Sequence, residues 1–165
     1  MAREFKSTEA ALRVYAGLIV QRLVDGLTVN NSDASGALNE SINFTLKADG
    51  AGFFIDALDY WGAVDGGRKA GKRPPISVIE KWLTWPNVRD KLRLGASDEA
   101  FGDKERRLAA FFMARKIGRE GTKGNNFFKN VVESDLIDDM VQAVANGSLD
   151  DMLAMIDQRI NDIRI

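Results

Sequence analysis

The sequence predicts a helix-rich α+β fold in a single domain spanning 1–165, with a small antiparallel sheet packed by about five helices. Three observations predict it. Apolar residues recur at helical spacing through most of the chain, the period drops to two just after residue 38, and an Asp-Gly pair follows that stretch. A chain of 165 residues with 45% hydrophobic and 28% charged side chains can bury a core of its own.

The first helix is expected over Thr8–Leu27. Ser7 is placed to cap it, Glu9 lies in its first turn, and Leu12, Ala16, Ile19, Val20, Leu23 and Leu27 form one stripe. The polar run Val29–Gly36 reads as a loop. From Leu38, the residues Leu38, Ile42, Phe44 and Leu46 alternate with Asn39, Ser41, Asn43, Thr45 and Lys47, as in a half-buried strand. Asp49-Gly50 then signals a tight turn and Gly52–Leu58 a second strand, giving a hairpin over about 38–58. Such a pair is marginal alone and has to be covered by helices or extended by a neighbouring chain.

Gly62–Arg73 reads as a glycine-rich basic loop. Pro74-Pro75 closes it and suits the start of a helix carrying Ile76, Ile79, Trp82 and Leu83, which Pro86 ends. Asn87–Gly95 is irregular or a short helical turn. A third helix should run from Asp98 or Asp103 to Ile117, burying Leu108, Ala109, Phe112, Met113 and Ile117. Gly118–Asn126 forms a second glycine-rich loop. The C-terminal part, about 127–165, reads as a helical pair. Phe128, Val131, Val132, Leu136, Met140 and Ala143 mark its first member, which stops at Asn146-Gly147. Ser148 and Asp151 form a capping box for its second, which carries Met152, Leu153, Ile156, Ile160 and Ile163.

The composition also restricts the chemistry. With no Cys, thiolate nucleophiles, disulfides and thiolate-bound metals are excluded; with no His, the commonest general base and metal ligand is missing. We therefore expect no enzyme and no cofactor or metal. A net charge of −1 lacks the basic excess of a dedicated nucleic-acid binder. No apolar run is long enough for a membrane span, and Met1–Lys6 has no secretory core, so assembly in the cytoplasm is expected.

Gly66–Lys72 matches a phosphate-binding P-loop up to its lysine, but Arg73 replaces the Ser or Thr that would hold Mg²⁺. The two prolines after it remove donors where a helix would complete the phosphate cradle. The loop's cations, Arg68, Lys69, Lys72 and Arg73, face only Asp65 in charge. They suit nucleic-acid phosphates, an acidic patch on a partner, or plain solvent. Arg106, Arg107, Arg115, Lys116, Arg119 and Lys123 form a second basic cluster, offset in part by Asp103, Glu105 and Glu120. The carboxylate groupings are Asp56/Asp59, Asp138/Asp139 and Asp150/Asp151; the last two pairs read as solvated or capping groups, because neighbours on a helix diverge by about 100°. Tyr60, Trp61, Trp82 and Trp85 fit a core or an interface better than a base-stacking platform.

The order of these pieces carries a resemblance. Asp59-Tyr60-Trp61-Gly62-Ala63-Val64-Asp65-Gly66-Gly67-Arg68 leads through Gly71-Lys72-Arg73-Pro74-Pro75 into the helix with Ile79 and Trp82. Ala109–Ile117 then runs through Gly118-Arg119-Glu120-Gly121-Thr122 to Asn126-Phe127-Phe128. Over roughly residues 38 to 146 this resembles the tail-completion or neck proteins of tailed bacteriophages. The resemblance implies a structural virion protein assembled in the host cytoplasm, a subunit of a homo-oligomeric ring in the head–tail connector. That ring would join the portal or adaptor side to tail proteins around a channel for packaged DNA. The residues expected to meet partners or DNA are Arg68, Lys69, Lys72 and Arg73, with Arg119, Thr122 and Lys123. A basic-loop nucleic-acid-binding accessory protein is the alternative.

Overall fold

A computed structural model describes residues 6–29, 36–92 and 101–163. In order, the elements are α1 (Lys6–Val29), α2 (Ala37–Ser41), β1 (Asn43–Leu46), β2 (Phe53–Asp56), α3 (Trp61–Asp65) and β3 (Gly67–Arg68). They continue with α4 (Ile76–Trp82), α5 (Pro86–Leu92), α6 (Asp103–Glu120), β4 (Thr122–Lys123), α7 (Phe127–Val132) and α8 (Asp135–Ile163). The class is the expected helix-rich α+β, with strands confined to two antiparallel pairs, β1–β2 and β3–β4, among the described residues. Most of the loop expected at Val29–Gly36, the alternative helix start at Asp98 and the end of the Asn87–Gly95 stretch lie outside the described residues. The chain divides into two compact units. One comprises the residues up to Gly26, Ser41–Leu58 and everything from Phe127; the other comprises Leu27–Glu40 and Asp59–Asn126.

The first unit is built on α1 and α8. The predicted α1 stripe is buried at Leu12, Ala16, Ile19 and Leu23, and the unit's core adds Ile42, Phe127 and Val131. Its N-terminal cap differs from expectation. The helix begins at Lys6, so Ser7 lies inside it, and the capping group comes from Asp151, 144 residues away. The Ser7 and Thr8 backbone N–H groups each donate to the Asp151 carboxylate at 2.9 Å, and the Thr8 hydroxyl donates to it at 2.7 Å. A helix leaves its first N–H groups without internal partners, and an anion there also meets the positive end of the helix dipole.

The same contact explains a second departure. A helix break was expected at Asn146-Gly147, but α8 runs through it, and the true break between the C-terminal helices falls at Glu133-Ser134. Gly147 is buried against α1: a Cβ there would sit 2.9 Å from the Ser7 carbonyl carbon and oxygen and from the Thr8 nitrogen. Glycine marks a close approach of two backbones here, not a helix stop. Ser148 does not open a helix either; its hydroxyl donates to the Val144 carbonyl within α8 at 2.9 Å.

The hairpin forms as an antiparallel pair, as expected, with shorter arms. Asn43 pairs with Asp56, Phe44 with Ile55, Thr45 with Phe54 and Leu46 with Phe53. Gly50 takes φ of 68° in the turn, whose closure is the Lys47 N–H to Gly52 carbonyl bond at 2.9 Å. Phe44 and Phe53 meet edge to face at 6.4 Å between centroids. Leu38 is not in the strand: Ala37–Ser41 form the short helix α2, which buries Leu38. Leu38 and Ile42 are four apart, so this pair satisfies a helical period as well as an alternating one.

In the second unit, α4, α5 and α6 enclose a core of Ile79, Leu83, Val88, Phe101, Ala110 and Ala114. Pro75 stands just before α4, as expected, but α4 ends at Trp82 and Pro86 opens α5 instead of terminating α4. Trp82 and Trp85 pack against this core, partly buried, in keeping with a core role for those aromatics. The inward face of α6 differs from the predicted stripe. Ala110 and Ala114 are buried, with Ala109, Met113 and Ile117 beside them, while Leu108 and Phe112 are each 57% exposed. Two alanines allow α4 to approach closely, and that contact sets the rotation of α6 about its own axis.

Candidate functional site

The segment Gly62–Arg73, expected to be one loop, contains α3 and β3, and the second glycine-rich segment contains β4. These two segments, more than fifty residues apart in sequence, bind to each other. Gly67 pairs with Lys123 and Arg68 with Thr122 in an antiparallel bridge, and the Arg68 N–H also donates to the Thr122 hydroxyl at 3.1 Å.

Two helix ends hold this clasp together. The last carbonyls of any α-helix lack intrahelical donors. At the end of α3, the Val64 and Asp65 carbonyls accept from the Asn125 and Asn126 N–H groups, at 3.1 and 3.0 Å. At the end of α6, the Gly118 carbonyl accepts from the Gly71 N–H at 2.8 Å. Each loop therefore caps the helix that leads into the other. Asn126 adopts φ of 55°, a left-handed conformation that Asn tolerates better than most residues.

Gly67 and Gly121 are required by this arrangement. Both have φ of 76°, and a side chain on Gly67 would overlap the Thr122 carbonyl oxygen, one on Gly121 the Arg68 carbonyl oxygen. The glycines that read as flexibility in the sequence instead permit two backbones to touch.

The seven residues singled out from the sequence are gathered here. Arg68 and Thr122 are direct strand partners, with Lys69 and Lys123 next to them in the chain. The Arg68 guanidinium donates to the Lys72 carbonyl at 2.5 Å, folding the first loop back on itself. The Arg73 side chain lies over Gly118, next to Arg119. All seven are exposed. Six cations, Arg68, Lys69, Lys72, Arg73, Arg119 and Lys123, thus lie on or beside the clasp, as do Asp65 and Glu120, with Arg68 and Lys123 at successive ribbon positions that face opposite sides. Arg119 hydrogen-bonds Glu120, and this bond holds the Glu120 carboxyl below the usual carboxylate range. Arg119 also sits in the last turn of α6, where the helix dipole favours positive charge.

The clasp is not a phosphate cradle of the P-loop kind. The backbone donors of Gly66, Arg68 and Gly71 already serve Gly62, Thr122 and Gly118. No helix starts at Lys72, and the next one opens at Ile76, beyond the prolines. The carboxylate groupings do not form a centre either. Asp56 accepts from the Thr45 hydroxyl at 3.1 Å, Asp151 caps α1, and no group of three or more acidic side chains able to hold a metal occurs among the described residues.

Sequence reasoning found the charged residues but missed their coupling. Asn125, Asn126, Gly71 and Gly118 act through backbone hydrogen bonds, which leave no side-chain signature. No family model, curated protein sequence or solved structure matches the chain.

Proposed function

We propose that this chain is a structural protein of a tailed-phage virion, a ring-forming subunit of the head–tail connector that joins the portal side to the tail around the DNA channel. The observation that carries the reading is the basic clasp. It presents six cations on a pre-ordered backbone, so a partner loses little conformational entropy in meeting it. Long-range attraction of an acidic protein surface or of packaged DNA follows from the same charge. The role is joining, without catalysis or cofactor, and its partners are further copies of the chain together with portal, adaptor and tail proteins.

The test uses light scattering or mass photometry of the purified protein, alone and with the portal complex. Binding at a fixed multiple of the portal's symmetry supports the reading; a stable monomer that ignores every virion protein overturns it. Replacing Arg68, Lys69, Lys72 and Arg73 together by Ser should abolish recruitment and particle assembly, and intact assembly would remove these residues from the contact. The same basic clasp also favours a nucleic-acid accessory role. Binding of free DNA by the isolated chain that weakens steeply with salt, without portal binding, would establish that role instead.

A further inference from the structure

Two helical faces in the structure are apolar and uncovered. The first is on α8. After Asp151 every described residue of this helix is exposed, yet Leu149, Leu153, Ile156, Ile160 and Ile163 follow alternating steps of four and three. That is the seam of a helix packed along another helix. Leu153 is 60% exposed and Ile156 52%. Asp150 and Asp157 run along one edge of the seam.

The second is the outward face of α6. Lys104, Leu108, Phe111, Phe112, Arg115 and Arg119 fall on one side of the helix, and all are exposed. Phe111 and Phe112 stack edge to face at 5.6 Å between centroids, forming an apolar centre with cations at both ends. Isolated exposed apolar side chains are ordinary, but contiguous stripes of this kind mark contact surfaces.

The two faces complement each other. Each is about 21 to 23 Å long at the rise of an α-helix. One is apolar with an acidic edge, the other apolar with basic ends. Self-pairing of the α8 seam is poorly matched by comparison. The antiparallel register that aligns Ile156 with Ile160 brings Asp157 towards Asp157 and Arg159 towards Arg159, and the parallel register supplies no pair of opposite charges across the seam.

We propose that the second half of α8 docks on the outward face of α6 of a second copy of this chain, placing Leu153 and Ile156 against Phe111 and Phe112. This deepens the connector reading and rests on its premise that copies meet, but not on what the assembly is attached to. The contact uses two different surfaces, so it leaves one of each free on every dimer. It therefore closes into a ring or continues as a filament.

The experiment uses the full chain and two surface variants, L153S/I156S on α8 and F111S/F112S on α6, with circular dichroism to verify the fold. Sedimentation velocity of the wild type over a concentration series should show species larger than a dimer. Each variant alone should be monomeric. Mixed together, the variants should form a one-to-one dimer and nothing larger, because each retains the face the other has lost. Three outcomes overturn the proposal: a wild type that stays monomeric throughout, an α6 variant that still associates through α8 alone, or a mixture that remains monomeric. A monomeric wild type that nevertheless binds the portal complex would remove this contact and leave the connector reading in place.

Discussion

At the scale of single residues, Asp151 has the clearest energetic role. The Thr8 backbone N–H, then the Ser7 N–H and the Thr8 hydroxyl, hold its carboxyl down to about 2 from an ordinary value of 3.8. A carboxyl whose pKa is lower in the folded state stabilises the fold fully above its unfolded value, and that contribution fades as pH falls through the folded one. The contribution is therefore intact at neutral pH and disappears between about 3.8 and about 2. D151N should lower the Tm at pH 7 and flatten the acid-side loss of stability across that window, measured by thermal denaturation at a series of pH values. Gly147 makes the complementary prediction. In an exposed helix interior, glycine to alanine stabilises by about 1 kcal/mol. Here the new methyl would press on the Ser7 and Thr8 backbone, so G147A should destabilise, read as a lower denaturant midpoint. Sequence reading recognised Asp151 as a capping residue and Gly147 as a special position, but assigned both to a local helix end. The group that Asp151 caps is 143 to 144 residues away, beyond the range of any local pattern.

At the scale of elements, the clasp shows how two weak segments become one ordered feature. Neither β3 nor β4 exceeds two residues, and α3 has five. None would persist alone, since a short helix is marginal in water and a two-stranded ribbon barely stable. Reciprocal capping of α3 and α6 supplies the missing partners. Gly121, with φ of 76° and ψ of −162°, occupies a region open almost only to glycine, where another residue costs of order 1–3 kcal/mol. G121A should therefore open the clasp while leaving the core of α4, α5 and α6 folded. Amide exchange at Arg68 and Gly71 would accelerate, while that at Ala110 and Ala114 would not. Equal protection of Arg68 and Gly71 in variant and wild type would show that the glycine is dispensable. Both segments read as glycine-rich loops in the sequence, yet each is already bonded to the other.

For the molecule as a whole, charge and apolar surface are distributed very unevenly for a chain of net charge −1. The cations gather on the clasp and α6, while the second half of α8 presents an apolar seam edged by Asp150 and Asp157. No helix among the described residues is long and apolar enough to cross a membrane. The clasp cations are exposed, and exposed substitutions away from special features change stability by less than about 0.5 kcal/mol. A K69S/K72S variant, which leaves the Arg68 bond to the Lys72 carbonyl in place, should therefore keep its Tm while weakening recruitment to the portal complex, which separates a contact role from a folding role.

The sequence by itself determined the class of fold, the face that α1 buries, the hairpin and its turn, and the identity of the basic residues. These follow from period, turn chemistry and charge, which act over a few neighbouring positions. Tertiary structure decided which glycines are joints and which are stops, which helix Asp151 caps, and which face α6 turns inward. It also joined two distant basic loops into one clasp. Each of these outcomes depends on a backbone or a buried face supplied from a remote part of the chain. Leu108 and Phe112 show the consequence most plainly. Their hydrophobicity predicts burial, but the close approach of α4 to Ala110 and Ala114 turns them outward.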